Sequence, residues 1–318
     1  MTHTPSRITL LLCGLIAAPL MAGPALAADD AACKTVRFSD VGWSDISATT
    51  GIASTILKGL GYEPTVQLLS VPVTYTSLKN KDIDVFLGNW MPTMEADIAP
   101  FRADGSVETI GANLEGAKYT LAVPKYLFDK GLKSFADIVK FKDELDGKIY
   151  GIEPGNDGNR LILDMIAADT FGLKGFEVVE SSEQGMLAQV ARATKKEEAV
   201  VFLGWAPHPM NANFEMEYLS GGDDVFGPNY GGATVHTNVR AGYIAECPNA
   251  GKFITNLKFT LPVENVVMGY ILDGGMDPET AATTWLKENP DALGPWLDGV
   301  TTFDGQPGLD AVKASLGL

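Results

Sequence analysis

Histidine, cysteine and positive charge are all scarce in this chain. Three histidines and three cysteines occur in 318 residues, and 24 Lys and Arg stand against 40 Asp and Glu, a formal net charge of −16. So acidic a chain is a poor match for nucleic acid or anionic membranes, and neither is expected as a partner. Catalytic signatures are missing too. There is no HExxH, no CxxC, no Gly-Lys-Ser/Thr phosphate loop and no Gly-x-Ser-x-Gly nucleophile elbow. Gly151, Gly155 and Gly158 follow a strand-like run and precede a helix-like one, but their spacing is not the dinucleotide fingerprint, and Asp157 would repel a phosphate. No enzyme activity, cofactor or metal is expected. Long apolar runs are lacking as well: no segment reaches the roughly 20 residues a membrane span needs.

The N-terminus accounts for one short apolar run. Arg7, the stretch Ile8–Ala18 and Ala25-Leu26-Ala27 have the layout of a secretory signal peptide over residues 1–27. Its removal would leave 291 residues, and the loss of Arg7 with no acid would take the formal charge to −17. A periplasmic, exported product is expected, and a monomer. Cys13 leaves with the signal, so Cys33 and Cys247 remain; an even pair in an exported chain reads as a disulfide, against the alternative of two separate buried thiols.

The body alternates strand-like and helix-like segments, which predicts an α/β fold with parallel sheets and helices on both faces. Strands are expected at Lys34–Ser39, Thr65–Ser70, Ile83–Gly88, Tyr119–Val123, Lys148–Ile152, Glu177–Glu180, Val200–Gly204 and Val235–Arg240. Helices are expected at Ile46–Leu60, Pro72–Asn80, Arg160–Phe171 and Met186–Thr194, and a helix-rich final third begins with Leu257–Leu272. Gly/Asn-rich stretches at Gly111–Gly116 and Gly227–Gly232 bracket a segment with its own alternation. The simplest arrangement is one lobe built from residues 28–117 and 233–318, with a second lobe, 118–232, inserted, and two chain crossings forming a hinge.

Tryptophan is placed in a pattern. Three strand-like runs end in glycine and then deliver an indole: Gly42-Trp43, Gly88-Asn89-Trp90 and Gly204-Trp205. Open α/β sheets bind ligands in the crevice outside the carboxyl ends of their strands. Three indole faces there suit a cation with no N–H to donate, a quaternary ammonium. Trp285 and Trp296 are assigned to packing. Asp45 either caps the helix beginning at Ile46 or, if Ser44 does that, faces a cation. Asn156 is a turn residue or a partner for a ligand oxygen, and Tyr119 opens a strand beside the proposed hinge. Asp157 and His208 are further candidates for ligand contact.

The segments Gly42-Trp43-Ser44-Asp45, Asp84–Pro92, Gly151–Gly155 and Gly204–Met210 resemble the substrate-binding proteins of glycine-betaine/choline ABC importers, in order along nearly the whole mature chain. The resemblance implies a type II periplasmic binding-protein fold, two α/β lobes closing on a ligand at a two-crossing hinge, with an ABC membrane permease as partner. It is strongest to the choline-binding branch, where the aromatic box is implied to be Trp43, Trp90, Tyr119 and Trp205, with Asp45 and Asn156 as polar partners. Choline fits an anion beside its methylated head, whereas the carboxylate of betaine asks for Lys, Arg or several backbone N–H groups. Among the pocket motifs only Arg160 lies near, and its direction is not legible. Choline is therefore expected as ligand, with acetylcholine and betaine weaker. The alternatives are a glycine-betaine or proline-betaine receptor and a choline-ester-processing enzyme.

Overall fold

The computed structural model describes residues 1–2 and 29–318, so residues 3–27 of the expected signal peptide, Cys13 among them, lie outside the described residues. Among the described residues nine strands form one sheet: β1 (Thr35–Asp40), β2 (Glu63–Leu68), β3 (Val85–Met91), β4 (Val107–Pro124), β5 (Lys148–Tyr150), β6 (Glu177–Val179), β7 (Phe202–Ala206), β8 (Met216–Tyr218) and β9 (Gly232–Arg240). Their order is β2-β1-β3-β9-β4-β7-β5-β6, with β8 added on β4. Each end of the sheet is parallel, β2-β1-β3 on one side and β7-β5-β6 on the other. The centre differs from the expected parallel arrangement, because β9 and β4 run antiparallel to their neighbours.

β4 spans the middle of the sheet. Its first part, Val107–Lys118, pairs with β9, while Lys118–Ala122 pairs with β7. The Gly111–Gly116 stretch, read from composition as bracketing the inserted segment, lies inside a strand. It keeps its pairing through register shifts between Thr109 and Gly111 and on either side of Leu114, where extra residues bulge out of the ladder. β9 begins at Gly232, the last residue of the second Gly/Asn-rich stretch.

The helices that matter for the site start at strand ends. The first, α1 (Ser44–Gly59), follows β1, and α2 (Val71–Lys79) follows β2 with Pro72 in its opening turn. The helix Asp157–Ala167 begins three residues before the expected Arg160, because the Asn156 side chain accepts from Asn159 N at 3.1 Å and caps it. In the final third the expected helix Leu257–Leu272 starts four residues later, at Leu261, and a separate helix precedes it. Pro248–Asn256 comes first, the chain is extended at Leu257, and Leu261–Leu272 opens with Thr260 as its cap and Pro262 in its first turn. Trp285 and Trp296 pack together, centroids 6.1 Å apart, in the core of this region.

Cys33 and Cys247 form a disulfide with Cα atoms 5.6 Å apart. The same corner is tied by Asp29, whose carboxylate accepts from Asn249 N (2.7 Å), Ala250 N (2.9 Å) and Tyr62 OH (2.9 Å). Among the described residues no helix is long and apolar enough to cross a membrane.

Candidate functional site

The strand ends converge on one small cavity, lined by Trp43, Asp45, Trp90, Tyr119, Ile152, Asn156, Asp157 and Trp205. Each aromatic has a local reason for its position. Trp43 is the residue before α1, in extended conformation (φ −92°, ψ 139°), so its indole leaves the β1 end sideways. Trp90 and Trp205 are not beyond their strands, as the spacing suggested, but one residue inside the carboxyl ends of β3 and β7. Tyr119 sits directly opposite Trp205 in the β4–β7 ladder. Residues opposite one another in an antiparallel pair share a face, which sends both rings the same way. The three rings make a chain of edge contacts, Trp90 to Tyr119 at 6.0 Å and Tyr119 to Trp205 at 6.2 Å between centroids. All four aromatics are at most 5 % exposed.

The polar side of the cavity consists of acids and an amide. Asp45, second residue of α1, accepts the Trp90 indole N–H on Oδ2 at 3.0 Å. Neither expected capping role holds: α1 has no side-chain cap from its own segment, and the Ser44 hydroxyl points to Met268 Sδ at 3.4 Å. Asn156 lies at the turn expected for it, where it caps the helix Asp157–Ala167, and it also lines the cavity. Its Oδ1 also accepts from Tyr119 OH at 2.9 Å, and its Nδ2 donates to Asp157 Oδ1 at 3.1 Å. Gly158 makes this possible, since a Cβ there would stand 2.1 Å from the Tyr119 hydroxyl.

Two carboxylate oxygens in this buried space, Asp45 Oδ1 and Asp157 Oδ2, have no hydrogen-bond partner. Unpaired buried charge is costly, and it shows in the acidities. Burial, with Glu183 next, pushes the Asp45 carboxyl up to about 7. Burial likewise pushes Asp157 up to about 6. No Lys or Arg lines the cavity. Arg160 turns away from it, donating to Asp97 Oδ2 at 2.8 Å and Thr93 O at 3.1 Å. Such a space can take a small cation that offers charge and methyl surface rather than N–H donors.

His208 is not part of the cavity wall. It packs against Trp205 with ring centroids 4.9 Å apart, and its Nε2 is 3.2 Å from Glu183 Oε1. Three residues escaped the reading of the sequence. Ile152 lines the cavity from the end of β5, and the strand-end rule that selected the tryptophans applied to it as well. Glu153 and Glu183 stand just behind the wall. Glu153 Oε1 accepts the Trp43 indole N–H at 2.8 Å, and Glu183 Oε2 accepts from Ser44 N at 2.9 Å. Nothing local in sequence announces partners 110 and 139 residues away.

Fold and site together point to an α/β substrate-binding protein of the periplasmic binding-protein type, with an aromatic-lined cavity at its strand ends. Residues 34–288 match the OpuAC family, the substrate-binding domain of ABC-type glycine betaine transport systems, and the chain belongs to that family. It is similar to a solved ABC-transporter choline-binding protein in complex with choline, at 70% identity and a TM-score of 0.90, covering 91% of this chain and all of the other. Against an ABC-transporter choline-binding protein in an unliganded semi-closed conformation the identity is 71% and the TM-score 0.83, over 90% and 100% of the two chains. The lactococcal family member in its closed-liganded conformation with glycine betaine is 25% identical, with a TM-score of 0.75 over 82% of this chain and 98% of that one.

Proposed function

We propose that this protein captures choline outside the cytoplasm and delivers it to the permease of an ABC importer. Trp43, Trp90, Tyr119 and Trp205 hold the trimethylammonium head by their ring faces. Asp45 supplies the opposing charge, and Asn156 and Asp157 take the hydroxyl. The observation that carries this reading is the pair of buried, unpartnered carboxylate oxygens of Asp45 and Asp157 inside an aromatic wall. A desolvated cation–π contact contributes on the order of 2 kcal/mol, so four rings reach about 8 kcal/mol, the scale of micromolar binding. Lobe closure and ligand immobilisation offset part of that.

The lobes in this reading are 28–117 with 233–318, and 118–232, exchanging at β4 and at the start of β9. Choline touches both only when they are shut, so its binding shifts the population to the closed form. Residues 1–27 act as the export signal, which places the work in the periplasm. The protein is a receptor and not an enzyme: incubation with acetylcholine is expected to release no choline.

The second reading is a betaine receptor, favoured by the family description. Against it stands the charge of the cavity. A betaine carboxylate would meet Asp45 and Asp157, with Arg160 engaged elsewhere. Side-by-side calorimetric titration separates the two readings. Tighter binding of choline is expected, and a tenfold preference for betaine would reverse the assignment.

A further inference from the structure

We infer that Glu183, held in place by His208, and Glu153 form a clasp that grips the Trp43–Ser44 turn from the opposite lobe and sets how long the ligand stays enclosed. The inference rests on the choline reading for its ligand but concerns residues outside the cage.

Consecutive residues of one lobe are each held by a carboxylate of the other. Trp43 donates its indole N–H to Glu153 Oε1 at 2.8 Å, and Ser44 donates its backbone N–H to Glu183 Oε2 at 2.9 Å. Ser44 N is one of the free donors at the start of α1, whose own segment supplies no side-chain cap. A carboxylate there satisfies that donor and meets the positive end of the helix dipole. When the lobes part, both bonds must break and the donor returns to water.

Glu183 is 1 % exposed, and a long side chain buried at a lobe junction needs a second anchor to hold its direction. His208 provides it. Met210 N donates to His208 Nδ1 at 2.9 Å, so Nδ1 is the acceptor and the ring proton sits on Nε2. Nε2 then donates to Glu183 Oε1 at 3.2 Å, leaving Oε2 for Ser44. The same imidazole rests against Trp205, so the clasp and the cage share a wall. Glu183 also repels the Asp45 carboxylate, which a captured cation offsets. The clasp therefore closes most favourably over a positively charged ligand. Glu183 and His208 are positioning residues: neither touches the cavity.

The test uses the full mature protein with one spin label on each lobe, at the exposed positions Asn80 and Asp164. It compares wild type with Glu183→Ala, His208→Ala, His208→Gln and Glu153→Ala. Choline dissociation is followed by stopped-flow tryptophan fluorescence, the lobe separation by the label distances, and ligand-free stability by thermal unfolding. The expected result is a choline off-rate raised at least tenfold in Glu183→Ala and in Glu153→Ala, with the on-rate within about threefold. His208→Ala should resemble Glu183→Ala, and His208→Gln, which keeps a donor for Glu183, should recover most of the loss. The closed fraction should fall in the alanine variants while the ligand-free melting temperature holds. Unchanged off-rates in Glu183→Ala and Glu153→Ala overturn the clasp, and so does a loss of affinity matched by lower ligand-free stability. If wild type does not bind choline, the ligand reading fails by itself. The ligand-free label distances then decide: a lower closed fraction in the alanine variants supports the clasp, and the same distribution as wild type overturns it.

Discussion

Asp45 accepts the indole N–H of Trp90 on one carboxylate oxygen, at 3.0 Å, and its other oxygen is buried without a partner at the cavity wall. The first bond fixes the ring's orientation, and the second oxygen is what a cation would meet. Burial and the nearby carboxylates of Glu183 and Asp40 push Asp45 up to about 7, and Glu264, wholly buried, is raised by its own burial and by Asp45. A bound cation would bring these carboxyls back down towards the ordinary carboxylate range.

From this follows a pH dependence of binding. Below about pH 7 the Asp45 carboxyl gains a proton that must leave before a quaternary ammonium is fully compensated. Choline affinity is expected to fall as pH drops from 8 to 5.5, with proton release on binding near pH 6.5. Calorimetry in two buffers of different ionisation heat reads both.

Stability should move the other way. Asp45 and Asp157 are raised in the folded protein, to about 7 and about 6, so their folded form binds protons more tightly than the unfolded chain. The contribution is present below the unfolded carboxyl range near 4 and is lost as pH rises through 6 to 7. The ligand-free melting temperature is expected to fall between pH 5 and pH 8, and the rise on adding choline to grow over the same interval.

Removing the charge at Asp45 while keeping its shape separates the two roles of the residue. Asp45→Asn is expected to weaken choline by roughly 2 kcal/mol or more, ~30-fold. Because an uncompensated buried carboxylate is gone, the ligand-free melting temperature should hold or rise. Titration beside thermal unfolding checks the pair.

The rings should act through their faces. Alanine at Trp43, Trp90 or Trp205 is expected to cost about 2 kcal/mol of choline binding each, ~30-fold. Tyr119→Phe keeps the face and loses only the bond to Asn156, so a change of a few fold is expected. Titration of the purified variants is the check.

The sequence carried the cage further than it carried the closure. Trp43, Trp90 and Trp205 were legible because a strand end places its last residues in the crevice, whatever the rest of the fold does. Asn156 was legible as a turn residue, though not that its Oδ1 would both cap a helix and accept from Tyr119 OH. The long β4 was hidden because glycines at 111 and 116 read as punctuation, whereas bulged pairing to β9 absorbs them. The helix Glu95–Ala103 went unread, having Pro100 in its interior. Glu153 and Glu183 were out of reach for a different reason. Their partners belong to the other lobe, and only the assembled structure brings a carboxylate to an indole N–H or a bare helix start.

The disulfide lies in the corner of Asp29 and Asn249, where none of the cage-lining residues lies. Replacing Cys33 and Cys247 together by serine is expected to lower stability by about 2–5 kcal/mol, the usual loss for a native bridge, while choline affinity stays within about twofold. Denaturant unfolding and titration of the same sample test this.

The most direct measurement is a calorimetric titration of the mature protein with choline and, in parallel, glycine betaine at pH 8. The account predicts one choline site of micromolar or tighter affinity, with betaine at least tenfold weaker. Absence of choline binding, or betaine bound equally well or better, would contradict it.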